Sequence, residues 1–263
     1  GVRAVMMDVS DKDGPRLSER VRALPMPDQI KAHRVNGRPI LITADEGDDR
    51  GEVDDEEPMV DHGRLNDLAD AGLLDTALHD RVAADGRGIG RLRVCTLTGD
   101  ADGDGRIEEP TAIGARGVSV LDAETHEPLG VTGDRFARII LENWPDLLNA
   151  GADSEPLEGD KRSDNRGCEP EGVAIGEIGG VPLAFVGLER PGAVAVFDLR
   201  DPRTPFVAGM TMIAPLGHVH PEGLVFIPPH ASPDGEPMLA VACELSGTVS
   251  LWRVRQKDRP QSE

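Results

Sequence analysis

The segment GDADGDGRIEE, at residues 99–109, has the spacing of oxygen ligands that suits a calcium ion. Aspartates at alternate positions of a tight turn converge on one point, and Ca²⁺ binds about six to eight oxygens. The twelfth position, where an EF-hand has glutamate, is Thr111, so a hairpin calcium loop fits better than an EF-hand. A solvated Asp/Gly turn is the alternative. The predicted ligands are Asp100, Asp102, Asp104, the carbonyl of Arg106, and Glu108.

A second acidic pattern is repeated along the chain. Its two clear copies are EPEGVAIGEIGGVPLAFVGLER (169–190) and HPEGLVFIPPHASPDGEPMLAVACELSG (220–247), and a weaker copy, with Asp28 at the first acidic position, is MPDQIKAHRVNGRPILITADEGD (26–48). Carboxylates at equivalent positions of repeated strands repel one another unless a cation or an arginine compensates. The pattern therefore predicts a cation site, unless these residues merely begin strands and cap turns. Its predicted ligands are Glu46, Glu171, Glu189, Glu222 and Glu244.

Basic side chains near these carboxylates could bind the oxygens of a phosphate or a carboxylate. Arginines occur in KRSDNRGCEPEG (161–172), and another follows Glu189. His218 and His220 lie just before the third acidic strand, where they could ligate a metal or transfer protons. The alternatives are a salt-bridged surface loop and histidines that serve only the turn. The candidate catalytic residues are Arg162, Arg166, Arg190 and His220.

The repeat also predicts the elements that position these residues. Each copy has two apolar strands, and a third strand recurs as GVSVLD (117–122), AVAVFD (193–198) and TVSLWR (248–253). Short strands in tandem, separated by Gly and Pro, are typical of β-propeller blades. The predicted fold is all-β: a β-propeller of four-stranded antiparallel blades, three to four of them in this chain, with short helical insertions.

The predicted organisation is a single partial propeller domain. Helical spacing at 64–83 and a hairpin excursion at 91–115 interrupt the first full blade, and a helix with Asp134 as its N-cap is expected at 133–148. The chain opens within a strand pattern and without an initiator methionine, which predicts a fragment or a processed form. The predicted segments are the tail of a preceding blade (1–24), a blade with insertions (25–133), a helix and polar loop (134–170), a blade (171–212), a last blade (213–254) and a polar tail (255–263).

The composition narrows the classes of partner. A net charge of −20 disfavours nucleic acid and anionic membranes and favours cations or basic partners. Cys95, Cys168 and Cys243 form no Cys-x-x-Cys motif, so neither a cysteine zinc site nor a disulfide framework is expected. The sequence contains no apolar run long enough to span a membrane.

Four of these segments resemble the choice-of-anchor I family, which includes mesenchyme-specific cell-surface glycoproteins and bacterial proteins labelled atypical alkaline phosphatases. The resemblance lies in MPDQIKAHRVNGRPILITADEGDDR, GDADGDGRIEE, KRSDNRGCEPEGVAIGEIGGVPLAFVGLER and PEGLVFIPPHASPDGEPMLAVACELSGTVSLWRV. It implies a secreted or surface-anchored propeller of seven blades, of which this chain would be roughly the C-terminal half. It also implies calcium and, in some members, phosphomonoesterase activity or a link to biomineralisation.

The family motifs fall on particular residues of this chain. The Asn-Glu-Gly-Asp stretch falls on 45–48 and adds Asp48 to the implied metal ligands, Asn-Arg-Ser-Asp falls on 161–164, and Gly-Pro-Glu-Pro-Glu-Gly falls on 167–172. Asp45 and Lys161 replace Asn, and Cys168 replaces Pro, so every carboxylate of the motifs is kept. A central site shared with an N-terminal half would be incomplete in this chain.

The sequence leaves three functions open. The leading hypothesis is an extracellular calcium-binding propeller of this family that also hydrolyses phosphomonoesters. A non-catalytic surface module for adhesion or mineral binding is the main alternative, and a lactonase-type propeller hydrolase is a further one. The expected partners are metal ions, phosphate esters or a mineral surface, and a missing propeller half or a second chain that completes the ring.

Overall fold

The computed structural model of the chain describes residues 2–50, 60–151 and 157–255. Within these ranges the protein consists mainly of short strands in four sheets, which confirms the all-β prediction. Membership of a closed ring stays a prediction. Residues 256–263 of the predicted polar tail and 152–156 of the predicted polar loop lie outside the described ranges.

The repeated segments form three sheets in which the strands pair in chain order, with the insertion between the second and third strands of the first sheet. These sheets are called the first, second and third blades below. The first contains β3 (Gln29–Val35), β4 (Arg38–Asp45), β8 (Gly117–Asp122) and β9 (Pro128–Val131). The second contains β10 (Pro170–Ile178), β11 (Val181–Leu188), β12 (Ala193–Asp198) and β13 (Phe206–Met212). The third has three strands, β14 (Pro221–Ile227), β15 (Met238–Cys243) and β16 (Thr248–Arg253).

The remaining sheet combines the N-terminal strands with the insertions. Its spatial order is β1 (Arg3–Met7), β2 (Glu19–Leu24), β7 (Thr111–Ile113), β6 (Arg93–Cys95) and β5 (His62–Arg64). The pair β6 and β7 is antiparallel, as a hairpin requires, but β7 also pairs in parallel with β2. The insertion of the first blade therefore completes the sheet that the N-terminal segment begins, a long-range pairing that local sequence pattern does not indicate.

Helices occur at the predicted places. The segment 64–83 covers α1 (Leu65–Asp70) and all but the last residue of α2 (Thr76–Ala84), and the later helix is α3 (Arg135–Asn143). Asp134 is at the N-cap of α3, but its carboxylate accepts from Arg138 Nη2 at 2.6 Å instead of from the backbone. No helix of the described residues is both long and apolar enough for a membrane span. The three cysteines are free and buried.

Two-residue turns fix the register of the first two blades. Asn36 and Gly37 join β3 to β4, Gly179 and Gly180 join β10 to β11, and all four residues have positive φ. Such turns match the twist of antiparallel strands, and they favour Asn-Gly and Gly-Gly. The same register brings the two ends of each hairpin together, and those ends carry the repeated acidic residues.

The first strands of the three blades lie side by side. β10 packs against β3 and β4 on one side and against β14 on the other. Apolar side chains fill the two interfaces, with Phe136 and Phe197 in one core and Phe185 in the other. The strands that begin with acidic residues are therefore neighbours in space.

Gly172 allows the second and third blades to approach closely, and its replacement by alanine is expected to be destabilising. A Cβ at this position would lie 2.0 Å from the carbonyl oxygen of Glu222, a backbone atom that cannot rotate away. We expect Gly172→Ala to lower the free energy of unfolding by about 1–3 kcal/mol or more. The measurement is chemical unfolding.

Gly223 provides the matched control, because it occupies the same position in the third repeat. A Cβ there would meet only the Ala242 side chain, at 3.4 Å. Gly223→Ala should therefore change the free energy of unfolding by less than about 0.5 kcal/mol. Equal effects of the two substitutions would contradict the proposed close approach of the blades.

Candidate functional site

A strained corner precedes the first strand of each repeat. The residue before the proline has a left-handed backbone in all three copies: Met26 (φ 45°), Glu169 (φ 43°) and His220 (φ 60°). Non-glycine residues rarely adopt this conformation, and such strain is often found at functional sites. The corner carbonyls of Glu169 and His220 accept the backbone N–H of Glu189 (2.9 Å) and Glu244 (2.8 Å). Each corner is thus tied to the acidic residue at the end of the second strand.

β-bulges add to this arrangement in the second and third repeats. The pairing of β10 with β11 shifts between Pro170 and Val173, and that of β14 with β15 shifts between Pro221 and Gly223. The extra residue of each strand falls within the Pro-Glu-Gly motif, and in the third repeat it is Glu222 itself. Bulges bend the strand and redirect side chains. The local fold therefore presents the glutamates at the same end of neighbouring sheets.

The acidic side chains of the three repeats converge in one cluster, here called the acidic centre. Donor atoms within each of three sets lie within 4.8 Å of one another. The sets are Asp28, Glu46 and Glu171; Glu169, Glu171 and Glu189; and Glu189, His220 and Glu244. Because Glu171 and Glu189 are each shared between sets, the cluster is continuous from the first blade to the third.

Two arginines flank the acidic centre. Arg190 contacts Glu169 through Nε and Glu189 through Nη1, the latter at 3.2 Å. Arg166 reaches Glu46 at 3.6 Å and Glu169 at 3.5 Å, and its shortest ion pair is with the exposed Asp48, at 2.6 Å. The described carboxylates of the centre thus outnumber the two guanidinium groups.

Burial and mutual repulsion oppose ionisation of the central carboxyl groups. Burial raises the pKa of Glu171 to about 10, and the charges of Glu46 and Glu189 act in the same direction. Burial also raises the pKa of Glu169 to about 9, together with Glu189 and against the charges of Arg190 and Arg166. Both carboxylate oxygens of Glu169 are buried, and each lies next to an arginine: Oε2 next to Arg190 and Oε1 next to Arg166. A bound cation would favour the ionised forms.

The carboxyl groups at the two sides of the centre differ in protonation. Burial raises the pKa of Glu46 to about 7, because the charge of Arg166 only partly offsets it. Burial would also raise the pKa of Glu189, but hydrogen bonds from His220 and Glu169 and the charge of Arg190 lower it to about 2. The charge of Glu189 is therefore already compensated, whereas Arg166 compensates the Glu46–Glu171 side only in part.

The structure brings most of the predicted residues together. Glu46, Glu171, Glu189 and Glu244 share the acidic centre with the candidate residues Arg166, Arg190 and His220. Glu222 is exposed, and its pKa is raised by partial burial and by the charges of Glu244 and Glu189, which places it at the rim. Asp48 is exposed and pairs with Arg166.

Arg162 is positioned differently from the other candidate arginines. Its side chain lies against Gly151, where a Cβ would be 3.1 Å from its Cγ. Its backbone N–H donates to Asn149. These contacts place Arg162 along the polar loop, so it supports the loop that carries Arg166.

The acidic side chains of the predicted hairpin loop lie close together, and calcium binding there stays a prediction. One oxygen from each of the loop's four acidic residues lies within 4.8 Å of the others: Asp100, Asp102, Asp104 and Glu108. Asp100 accepts backbone N–H groups from Gly103 (2.7 Å) and Gly105 (2.9 Å), and these two glycines have positive φ. Ile107 is buried and bridges to Leu74, which anchors the exposed loop to the helical insertion.

Sequence reasoning did not select two residues of this region, Glu169 and Asp49. Glu169 has no acidic counterpart in the other repeats, where Met26 and His220 take its place. Its position directly before a Pro-Glu-Gly motif was the available signal. Asp49 accepts from Arg93 at 2.8 Å and lies 3.7 Å from Arg166, contacts that depend on the docking of the insertion.

The departures from the family motifs have structural explanations. Asp45 is buried and accepts hydrogen bonds from Thr43, Ser119 and Arg3, which satisfy it within the first blade. Lys161 pairs with Glu158 at 2.9 Å on the surface. Burial raises the pKa of Cys168 to about 12, so the thiol is uncharged at neutral pH. None of the three residues enters the acidic centre.

Comparison with known proteins finds one family model and two similar proteins. A sequence model of the choice-of-anchor I domain matches residues 2–202. Gigasin-3a of Magallana gigas is 31% identical over 190 residues, which cover 65% of this chain and 66% of that protein. The mesenchyme-specific cell surface glycoprotein of Strongylocentrotus purpuratus is 33% identical over 75 residues, 26% of this chain and 10% of that protein. No solved structure gives a significant match.

Proposed function

The chain belongs to the choice-of-anchor I family, and on that premise we propose that it is an extracellular surface domain that binds calcium at two places, the hairpin and the acidic centre. The location is supported by the name of the sea-urchin relative, a cell surface glycoprotein. The aligned part of the chain covers 66% of Gigasin-3a and 10% of that glycoprotein, so the activity of a whole protein of this family is part of the proposal.

One observation carries the calcium proposal for the acidic centre. Asp28, Glu46 and Glu171 come from two different blades, yet they offer oxygens within 4.8 Å of one another, and the nearby charge of Arg166 offsets the effect of burial on Glu46 only in part. Carboxylates held together repel one another unless positive charge balances theirs, and a hard divalent cation would remove this repulsion. Calcium bound here would link the first and second blades and so stabilise their packing.

Calorimetric titration with calcium tests both sites. Asp102→Ala should remove the hairpin site alone, and Glu171→Gln should weaken or abolish binding at the acidic centre alone. Glu177→Gln is the matched control, because Glu177 lies on the same strand but is exposed and outside the cluster. If Glu171→Gln binds as much calcium as the unmodified chain with the same affinity, the acidic centre is not a calcium site.

A second candidate function is the hydrolysis of phosphomonoesters, favoured by the position of Arg166. Its guanidinium lies 3.6 Å from Glu46, so phosphate oxygens between a bound cation and this arginine would meet positive charge from both. The cation would polarise the phosphoryl group and lower the pKa of an attacking water. Arg190 would contribute positive charge to the same centre, where it pairs with Glu169 and Glu189.

Turnover of p-nitrophenyl phosphate separates an enzyme from a non-catalytic module. An enzyme should show turnover that a chelator abolishes, and Arg166→Gln should reduce kcat/KM by about 10²-fold or more. Arg162→Gln is the matched control from the same loop and should retain activity. Calcium binding without turnover would favour adhesion or mineral binding.

A further inference from the structure

We propose that His220 and Glu244, oriented by Glu189, form a site for a divalent transition cation such as Zn²⁺, chemically distinct from the calcium sites. The proposal shares the acidic centre with the proposed function but requires no calcium there. The three residues each offer a donor atom within 4.8 Å of the others, which for His220 is one of its two ring nitrogens. Glu189 directly follows β11 of the second blade, and His220 and Glu244 belong to the third blade.

The hydrogen bond between His220 and Glu189 sets the state of the imidazole. Nδ1 lies 2.9 Å from Glu189 Oε1, and because a carboxylate oxygen only accepts, Nδ1 carries the proton of the bond. In the neutral ring Nε2 then has the free lone pair. A carboxylate bound to one imidazole nitrogen while the other binds metal is the usual arrangement at zinc sites.

The second nitrogen of His220 is buried without a partner. The residue is 5% exposed, and Nε2 makes no hydrogen bond within the described part of the chain. An unpaired buried acceptor costs free energy that a coordinate bond would offset. An unpaired nitrogen donor indicates a zinc-like ion as the ligand, because such ions accept a nitrogen lone pair well, whereas the hard calcium ion prefers oxygen.

Glu244 supplies the oxygen ligand. Its backbone N–H donates to the His220 carbonyl at 2.8 Å, which keeps the two residues adjacent, and its side chain is exposed. Glu189 is occupied by His220 and by Arg190, 3.2 Å from the same oxygen, so it orients the imidazole more readily than it binds the metal. The remaining coordination positions would be open to water or to an anionic ligand.

The nitrogen donor is specific to the third repeat. The equivalent corner residues of the other copies are Met26 and Glu169. The same repeated backbone therefore presents an oxygen-only cluster at one side of the acidic centre and a mixed nitrogen–oxygen cluster at the other. Because of this difference, the oxygen-only side suits a hard cation such as calcium, and the nitrogen–oxygen side suits a borderline cation such as zinc.

Titration with Co²⁺ in the presence of saturating Ca²⁺ tests the proposal, because cobalt reports nitrogen–oxygen coordination by its visible spectrum. One equivalent of Co²⁺ should give a band that Zn²⁺ displaces. His220→Gln should abolish the band, and Glu244→Gln should weaken binding by about 10-fold or more. Glu189→Gln should weaken binding by about 10–100-fold and also shift the band, because the ring loses its orienting partner.

His218→Gln is the matched control. The His218 ring is bound through Nδ1 to Thr248 Oγ1 at 3.0 Å and packs against Trp252, so its loss should leave the cobalt spectrum unchanged. Glu244 is exposed, so its variant reports on the site even if His220→Gln fails to fold. No cobalt band, or a band unaffected by both His220→Gln and Glu244→Gln, would overturn the proposal. Calcium titration of Glu171→Gln and Asp102→Ala tests the calcium sites independently.

Discussion

Arg116→Met is expected to lower the free energy of unfolding by about 3–5 kcal/mol. Arg116 is 7% exposed, and its guanidinium donates to three backbone carbonyls: Asp8 (2.8 Å), Ser163 (3.0 Å) and Asn165 (3.1 Å). Methionine fills similar space but has no donor, so three buried acceptors would lose their partner. The measurement is urea unfolding followed by circular dichroism.

The same substitution should also affect the acidic centre. Ser163 and Asn165 belong to the loop that carries Arg166 and Glu169, and Arg116 ties this loop to the N-terminal sheet. Calcium affinity at the centre should therefore fall in Arg116→Met, while the hairpin site keeps its affinity. Arg20→Met is the control, since Arg20 is exposed on β2 and should change stability by less than about 0.5 kcal/mol. A loss below about 1 kcal/mol in Arg116→Met would refute this role.

The repeat predicted the acidic centre better than any single motif did. Glu171 and Glu189 recur at fixed positions of strands, so the blade arrangement alone brings them together. The repeat does not predict the roles of Glu169 and Arg116, and the reason differs between the two residues. Glu169 breaks the repeat, and Arg116 binds backbone carbonyls from two distant segments, a role that no side-chain pattern encodes. The parallel pairing of β2 with β7 is of the same long-range kind.

The convergence of the acidic residues in the hairpin loop could be predicted from the sequence because these residues are close together in the chain. Four acidic residues within nine positions, spaced by glycines with positive φ, fix their own geometry with little help from the fold. The division of the acidic centre was not predictable in this way. It depends on which nitrogen of His220 meets Glu189, a contact between the second and third blades.

Calcium is expected to stabilise the chain more at pH 8 than at pH 5. Without a cation, Glu171, Glu169 and Glu46 have pKa values of about 10, 9 and 7, all above the ordinary 4.5. The folded state then binds more protons than the unfolded state. These groups therefore stabilise the folded state fully below about pH 4.5, and this stabilisation is lost as the pH rises through their pKa values in the folded state.

Glu189 has the opposite effect on the pH dependence of stability, and this effect is confined to acidic pH. Its pKa of about 2 in the folded state lies below 4.5, so its contribution is present above pH 4.5 and is lost as the pH falls toward 2. With respect to these four groups, the calcium-free chain should therefore be most stable near pH 5. Because calcium binds the ionised carboxylates, its stabilising effect should grow as the pH rises.

Thermal unfolding with calcium or with chelator, between pH 5 and pH 9, measures this effect. Free calcium at 100 times its dissociation constant contributes about 2.7 kcal/mol, which raises Tm by roughly 5–10 °C in a chain of this size. Asp102→Ala should retain the pH dependence, since the hairpin is separate, and Glu171→Gln should flatten it. A calcium effect that is equal at pH 5 and pH 8 would mean that the central carboxyl groups do not bind the ion, because their protons would then not compete with it.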